Sequence, residues 1–318
     1  MEPKRTAVRL LYRDDLQPLE WQAIQRGDGA EQTRRMLEDW GFLTVRRSDL
    51  LELREKAYGH MSAFFSLPEE ERLTIYHKVV EQGVSGNYGY FPMGSETAVR
   101  AASADPKEFL HIGRLGEGSA EKGSRLGPWP AALPGFASFF TELFEELERV
   151  SKGLLAALAE AFSYDPSLLG GIVENGNSIL RCVHYPAFKG SANDGPRMRA
   201  EPHTGIQLLG VQLPGTDRGL QFWTPRGEWV EPVVEDFEDC LLVNIGEMAE
   251  ILLEKKVAPT LHRVVADEKA ATRSRYAGVF FFHPNHAAAV RSLRADSPQD
   301  GRTWGELLLE RLRQLKIR

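Results

Sequence analysis

The chain has 318 residues, 42% of them hydrophobic and 26% charged, enough to bury a large core within one enzyme-sized unit. A formal net charge of −6 and a pI near 5.8 leave no basic stripe, which argues against binding a nucleic-acid polymer. Met1-Glu2-Pro3-Lys4-Arg5 has no apolar signal core, and no window reaches bilayer-spanning length, so neither secretion nor membrane insertion is expected. Cys182 and Cys240 both lie in apolar runs suited to buried free thiols, in keeping with a reducing cytoplasm.

In chain order, residues 6–12 alternate as a strand, and residues 30–40 have helical spacing with Met36 and Trp40 on one side. Residues 48–65 read as a longer helix, with Ser48 or Asp49 as N-cap. Residues 82–104, rich in glycine, serine and alanine, read as a loop over or beside a pocket, with Asn87, Tyr88 and Tyr90 placed either for substrate contact or for turn formation. The strongest helix spans residues 137–162, where Phe140, Leu143, Phe144 and Leu147 begin a repeating apolar stripe. From 179 to 282, short alternating or apolar runs separated by turn residues predict an antiparallel double-stranded jelly roll. Residues 304–315 form a terminal helix. The fold class is therefore mainly β with flanking helices: a double-stranded β-helix (jelly-roll, cupin-like) core with an N-terminal helical region. The expected division is a mixed α/β support over 1–170, the jelly-roll core over 171–290 and a C-terminal helix over 291–318.

His203-Thr204-Gly205 is the most informative stretch. On an extended strand the period of two puts positions 203 and 205 on one face, where His-x-Asp would bind a single ion; here the third residue is glycine. A second imidazole follows in Thr260-Leu261-His262-Arg263-Val264, and Arg275-Tyr276-Ala277 opens an apolar run ending at His283-Pro284. These segments resemble the iron(II)- and 2-oxoglutarate-dependent oxygenases of the isopenicillin N synthase-like superfamily. The likeness extends to 179–186 as the first core strand, 219–230 as the central hairpin, and 241–248 as the strand and short helix before the second histidine. Trp40-Gly41-Phe42, Phe64-Phe65-Ser66-Leu67-Pro68 and Asp105-Pro106-Lys107-Glu108-Phe109 match the family's helical prelude.

The resemblance implies His203 and His262 as metal ligands, against the plain alternative of core histidines, with iron(II), 2-oxoglutarate and dioxygen as the reacting partners. It implies that Arg275 anchors the distal carboxylate of 2-oxoglutarate, although Ala277 replaces the family's serine, and that Tyr185 reaches the same carboxylate. His184 alternates with Tyr185, so only Tyr185 is expected to face the cavity. Arg181 points either into the pocket or to the surface; Arg197 and Arg199 read as an anion site or a solvated loop. His111 is expected near the cavity mouth, and His283 and His286 at a strand end or in solvent.

The missing carboxylate leaves three readings. First, Gly205 leaves a coordination position for chloride, as in the halogenases that this variant resembles, implying chlorination of an unactivated C–H bond. Second, Glu201, two residues before His203, or another group supplies the third ligand, giving a hydroxylase or oxidase of natural-product biosynthesis. Third, the chain is a metal-poor binder. Halogenation ranks first and the substituted oxygenase second. The expected substrate is a free small metabolite, with nucleotides such as adenosine monophosphates an early candidate, and no carrier protein is expected.

Overall fold

Alternation of side chains along the central strands sorts this chain into a helix-facing side and a cavity-facing side. The computed structural model describes residues 7–75, 88–97, 105–114, 126–188, 197–267, 269–294, 296–298, 300–314 and 316–317. The N-terminal half runs β1 (Arg9–Leu11), α1 (Arg13–Leu16), β2 (Leu19–Glu20), α2 (Trp21–Gln25), α3 (Ala30–Trp40), β3 (Phe42–Arg46), α4 (Leu50–Phe65) and α5 (Glu69–Leu73). It continues with β4 (Gly89–Phe91), β5 (Glu96–Thr97), β6 (Glu108–Arg114), β7 (Leu126–Gly127) and α6 (Phe136–Ala161). After α7 (Gly170–Val173) come β8 (Ile179–Tyr185), β9 (Arg197–His203), β10 (Leu209–Gln212), β11 (Leu220–Trp223) and β12 (Trp229–Pro232). The chain closes with β13 (Cys240–Ile245), α8 (Glu247–Leu252), β14 (His262–Ala266), β15 (Arg275–Phe282) and α9 (Trp304–Gln314).

Two sheets form the expected jelly roll. One has five strands in the order β1-β12-β11-β14-β9; the other has nine, in the order β2-β3-β13-β10-β15-β8-β6-β4, with β7 beside β6. Strands from the N-terminal half thus complete both sheets: β1 runs parallel to β12, β3 antiparallel to β13, and β6 antiparallel to β8.

On β8, Leu180 and Cys182 join the helix-side core while Val183 and Tyr185 join a separate cluster on the cavity side. Helix α6 covers the helix side, with Phe144 edge-on to Phe280 at 5.0 Å. Burial of each such large side chain is worth about 1.5–3 kcal/mol. Between the sheets, Phe42 and Leu242 meet Leu11, Ala200, Phe222 and Val264, and Phe42 stacks on Phe222 at 4.3 Å. No helix among the described residues is long and apolar enough to cross a membrane.

The loop expected over 82–104 is corrected within its described part. Gly89–Phe91 is a strand paired with β6, and Tyr88, Tyr90 and Phe91 are buried. Tyr90 donates to Glu108 Oε2 at 2.5 Å and serves the core rather than a substrate. The aromatic alternation over three residues is too short to stand out from the surrounding small residues. Asn87 lies outside the described residues.

Candidate active site

His203 ends β9 and His262 begins β14, and the two are register partners across an antiparallel ladder. Their ring centroids lie 4.3 Å apart. His203 Nδ1 is 2.7 Å from the Glu201 carbonyl and His262 Nδ1 is 2.9 Å from the Thr260 carbonyl. A carbonyl only accepts, so each Nδ1 carries the proton and each Nε2 keeps its lone pair. Burial first, then the neighbouring His203, pushes the His262 pKa down to about 3. His203 is open to solvent on its strand end, yet its surroundings also lower its pKa, again chiefly by desolvation. Both rings are neutral at pH 7, the state a metal ligand requires.

Glu201 does not join them. From His262 to Val264 strand β14 advances two residues while β9 retreats three, from His203 to Ala200. This bulge breaks the period of two on which the expectation rested. Glu201 instead lies in the field of Arg263, whose pKa is lowered by burial and partly restored by that carboxylate. Among the described residues, no group of three His, Cys, Asp or Glu side chains is placed to hold a metal.

The position beside Gly205 is not open. A Cβ built there would lie 2.2 Å from Gln207 Nε2, 2.6 Å from its Oε1 and 2.7 Å from its Cδ. The Gln207 amide occupies the space where a side chain would start, so any larger residue at 205 must displace that amide. The segment is pinned from below: Glu247 N–H donates to Gly205 O at 2.9 Å, Met248 N–H to Ile206 O at 3.1 Å, and Gly246 N–H to Leu208 O at 3.0 Å. A Cβ at Gly246 would fall 1.8 Å from the Gln207 carbonyl oxygen, so the close backbone approach needs glycine there. Thr204, between the histidine and the glycine, donates its hydroxyl to Glu247 Oε1 at 2.9 Å. Gln207 was missed by sequence reading; its only signal is one polar residue inside the apolar run Ile206 to Leu209.

Arg275 and Tyr185 are register partners on β15 and β8, with the guanidinium 5.6 Å from the ring centroid. Both are buried, and Arg275 Nε donates to the Asp217 carbonyl at 3.0 Å. Ala277 sits beside them in an apolar cluster with Phe91, Phe109, Val183 and Tyr185. Arg199, read as loop, is instead a fully buried residue of β9. A second register irregularity pairs Val264 with Ala200 but Val265 with Met198, which makes Arg199 the extra residue. Its Nη2 donates to the Ala270 and Arg273 carbonyls at 2.8 and 2.5 Å, while its Nε and Nη1 have no partner among the described residues. Burial and then the charge of Arg275 lower the Arg199 pKa to about 10. Two buried guanidiniums thus lie within each other's field, an arrangement that an added carboxylate would relieve.

A further charged cluster lines the same face. Arg181 grips Glu96 through both Nη atoms at 3.0 and 3.1 Å, donates to His111 Nε2 at 2.7 Å, and lies between the rings of Phe109 and Phe281. Lys107 Nζ pairs with Glu96 at 2.6 Å and Asp105 at 2.8 Å. Burial pushes Glu96 up, but the charges of Arg181 and Lys107 outweigh it and hold the carboxyl well below its ordinary range. The Lys107 charge also reaches both imidazoles and helps keep them unprotonated. His184 turns the other way, to Glu108 and Ser274. His283, expected at a strand end or in solvent, is buried, with Nδ1 on the Phe281 carbonyl.

Two neutral imidazoles on neighbouring jelly-roll strands and two buried guanidiniums on β9 and β15 are the groups from which a metal and a carboxylate could be held. The chain belongs to the 2OG-Fe(II) oxygenase superfamily: the family model of that description matches residues 176–284, and the model for the non-haem dioxygenase in morphine synthesis N-terminal region matches residues 15–132. The 2-oxoglutarate-Fe(II) type oxidoreductase ppzD of Metarhizium rileyi is 25% identical over 269 residues, covering 81% of this chain and 76% of the relative. Clavatol oxidase claD of Penicillium crustosum is 27% identical over 296 residues, covering 86% and 84%. Among solved structures, a 2OG-Fe(II) oxygenase family protein from Caulobacter crescentus is similar with TM-score 0.74 and 28% identity over 97% of this chain and 99% of its own. A full-length Neurospora crassa protein in complex with alpha-KG and thymine is similar in fold, with TM-score 0.73 and 23% identity over 98% of each chain. This chain is an oxidoreductase that depends on Fe(II) and 2-oxoglutarate. The two Nε2 lone pairs suit that metal, and the unpartnered Nε and Nη1 of buried Arg199 suit a carboxylate.

Proposed function

We propose that this protein hydroxylates or otherwise oxidises a free small metabolite, with His203 and His262 holding Fe(II) and with Arg275, Arg199 and Tyr185 holding the distal carboxylate of 2-oxoglutarate. The observation that carries this reading over halogenation is the Gln207 amide packed against Gly205, where a monatomic anion would need room. The relatives named above are an oxidoreductase and an oxidase, which agrees with it. Bound iron supplies oxygen activation coupled to oxidative decarboxylation of the cosubstrate.

The chain's own residues prepare that chemistry. The carbonyls of Glu201 and Thr260 fix the tautomer of each histidine, so both Nε2 atoms face the metal without prior loss of a proton. Two guanidiniums bind one carboxylate with charge-assisted hydrogen bonds and favour a dicarboxylate over a monocarboxylic keto acid. The Arg181–Glu96–Lys107–Asp105 network pairs two cations with two carboxylates, so it makes a polar wall without itself demanding a charged ligand.

Halogenation is the second reading, favoured by the glycine at position 205. The test is turnover of 2-oxoglutarate to succinate by the iron-loaded enzyme with candidate metabolites, thymine and nucleotides included, in chloride-free and chloride-containing buffer. The oxygenase reading expects succinate at the same rate in both buffers and a product heavier by one oxygen. Turnover that requires chloride, with a chlorinated product, overturns it.

A further inference from the structure

We propose that Gln207 is the third protein donor to the metal, its side-chain carbonyl Oε1 replacing the carboxylate that position 205 lacks. This rests on the oxygenase reading above and names the group that completes its metal site. Three observations carry it. The two imidazoles form only part of a metal site, and no described His, Cys, Asp or Glu completes a group of three with them. The Gln207 amide occupies the volume in which a residue-205 side chain would begin, its Oε1 2.6 Å and Nε2 2.2 Å from the Cβ position. The backbone beneath it is locked to residues 246–248 by the hydrogen bonds and close glycine contacts already described, and the residue is 3% exposed, so the amide lies within the protein rather than free in solvent.

A carboxamide carbonyl is a hard, neutral oxygen donor of the kind that binds divalent cations alongside carboxylates and imidazoles. Its neutrality has a consequence. Two imidazoles and one amide leave the metal with its full double charge, which a dianionic cosubstrate neutralises. A carboxylate in the same corner would leave the metal less attractive to that dianion. Glycine at 205 with glutamine at 207 therefore trades intrinsic metal affinity for stronger cosubstrate binding.

The test is anaerobic titration of the purified full-length protein with Co(II) and with Fe(II), followed by calorimetry and by the Co(II) visible spectrum, for wild type, Gln207→Ala and Gln207→Glu. Gln207→Ala is expected to weaken metal binding by about 10-fold or more, since even supporting groups around a metal contribute about 10–100-fold. It should also change the Co(II) spectrum and make that spectrum sensitive to added chloride or azide. Gln207→Glu, nearly isosteric, should bind metal more tightly than wild type while weakening 2-oxoglutarate. Circular dichroism melts of the metal-free proteins check that each variant folds. Should Gln207→Ala fold yet match wild type in affinity and spectrum, or should chloride shift the wild-type spectrum as much as the variant's, the assignment fails. Succinate formation, measured separately, reports on the oxygenase reading. Loss of turnover with an intact Gln207 dependence of metal binding would overturn that reading and leave the donor in place.

Discussion

Glu201 and His203 stand two residues apart on β9, yet only the histidine faces His262, because a bulge inserts an extra residue between the pairs His203–His262 and Ala200–Val264. The carboxylate lies within the electrostatic field of Arg263, and its backbone carbonyl accepts from His203 Nδ1. Removing the carboxylate should therefore leave the metal site intact. Glu201→Gln is expected to bind Co(II) within about 2-fold of wild type, whereas His262→Ala should lose binding by far more than the 10–100-fold attributed to supporting groups. Calorimetric titration decides; a large loss in Glu201→Gln would mean that its side chain reaches the metal after all.

Arg199 and Arg275 should both be felt by the cosubstrate. A hydrogen bond to a charged group contributes about 1.5–3 kcal/mol, so Arg199→Met and Arg275→Met should each weaken 2-oxoglutarate by roughly 10- to 100-fold. Arg275→Lys keeps the charge but not the two-pronged geometry and should fall between. The readout is 2-oxoglutarate affinity of the metal-loaded protein by thermal shift. An unaltered affinity in Arg199→Met would remove that residue from the carboxylate pocket.

Position 205 and residue 207 should be energetically coupled. Gly205→Asp starts a side chain 2.2 Å from Gln207 Nε2 and must displace the amide, with an overpacking penalty of about 1–3 kcal/mol. Gly205→Asp combined with Gln207→Ala should recover most of that loss and bind metal more tightly than wild type. Urea melts of the four proteins give the coupling. Strict additivity would show that the two positions do not compete for one volume.

Acid should weaken the fold through Glu96 and Glu108. Burial opposes ionisation of both, but Arg181 and Lys107 at Glu96, and His184, Tyr90 and Arg72 at Glu108, lower their folded pKa values. The unfolded chain then binds more protons than the folded one, so the stability these groups contribute is complete above their ordinary value of 4.5 and is lost as pH falls toward the folded values. The melting temperature of wild type should drop from about pH 5 downward, with a shallower slope in Glu96→Gln. That variant should also melt lower at pH 7, where Lys107 and Arg181 remain buried with less compensation. A wild-type slope preserved in Glu96→Gln would assign the acid sensitivity elsewhere.

The jelly roll and its α6 brace were readable because both signals are local. Residues 136–161 repeat an apolar stripe at helical spacing, and the strands from Ile179 to Phe282 alternate or run apolar between turns. Arg275 and Tyr185 were singled out by the resemblance, alternation served only to choose Tyr185 over His184, and the pairing register sets the two opposite each other. The short strand Gly89–Phe91 escaped because three residues cannot establish a period.

What the amino-acid order determined by itself was the jelly-roll strands from Ile179 to Phe282 and the α6 brace; His203, His262 and Arg275 were marked by the family resemblance. Tertiary structure decided which neighbours share their space. The bulges that turn Glu201 away and carry Arg199 inward arise from the pairing of β9 with a strand about sixty residues downstream. The filling of the Gly205 corner by Gln207 goes with the close approach of residues 246–248, which locks the backbone there. Alternation is a property of one backbone segment, whereas register and occupancy belong to contacts between distant segments. A residue's own identity therefore tells what it lacks, and only the packed chain tells what stands in its place.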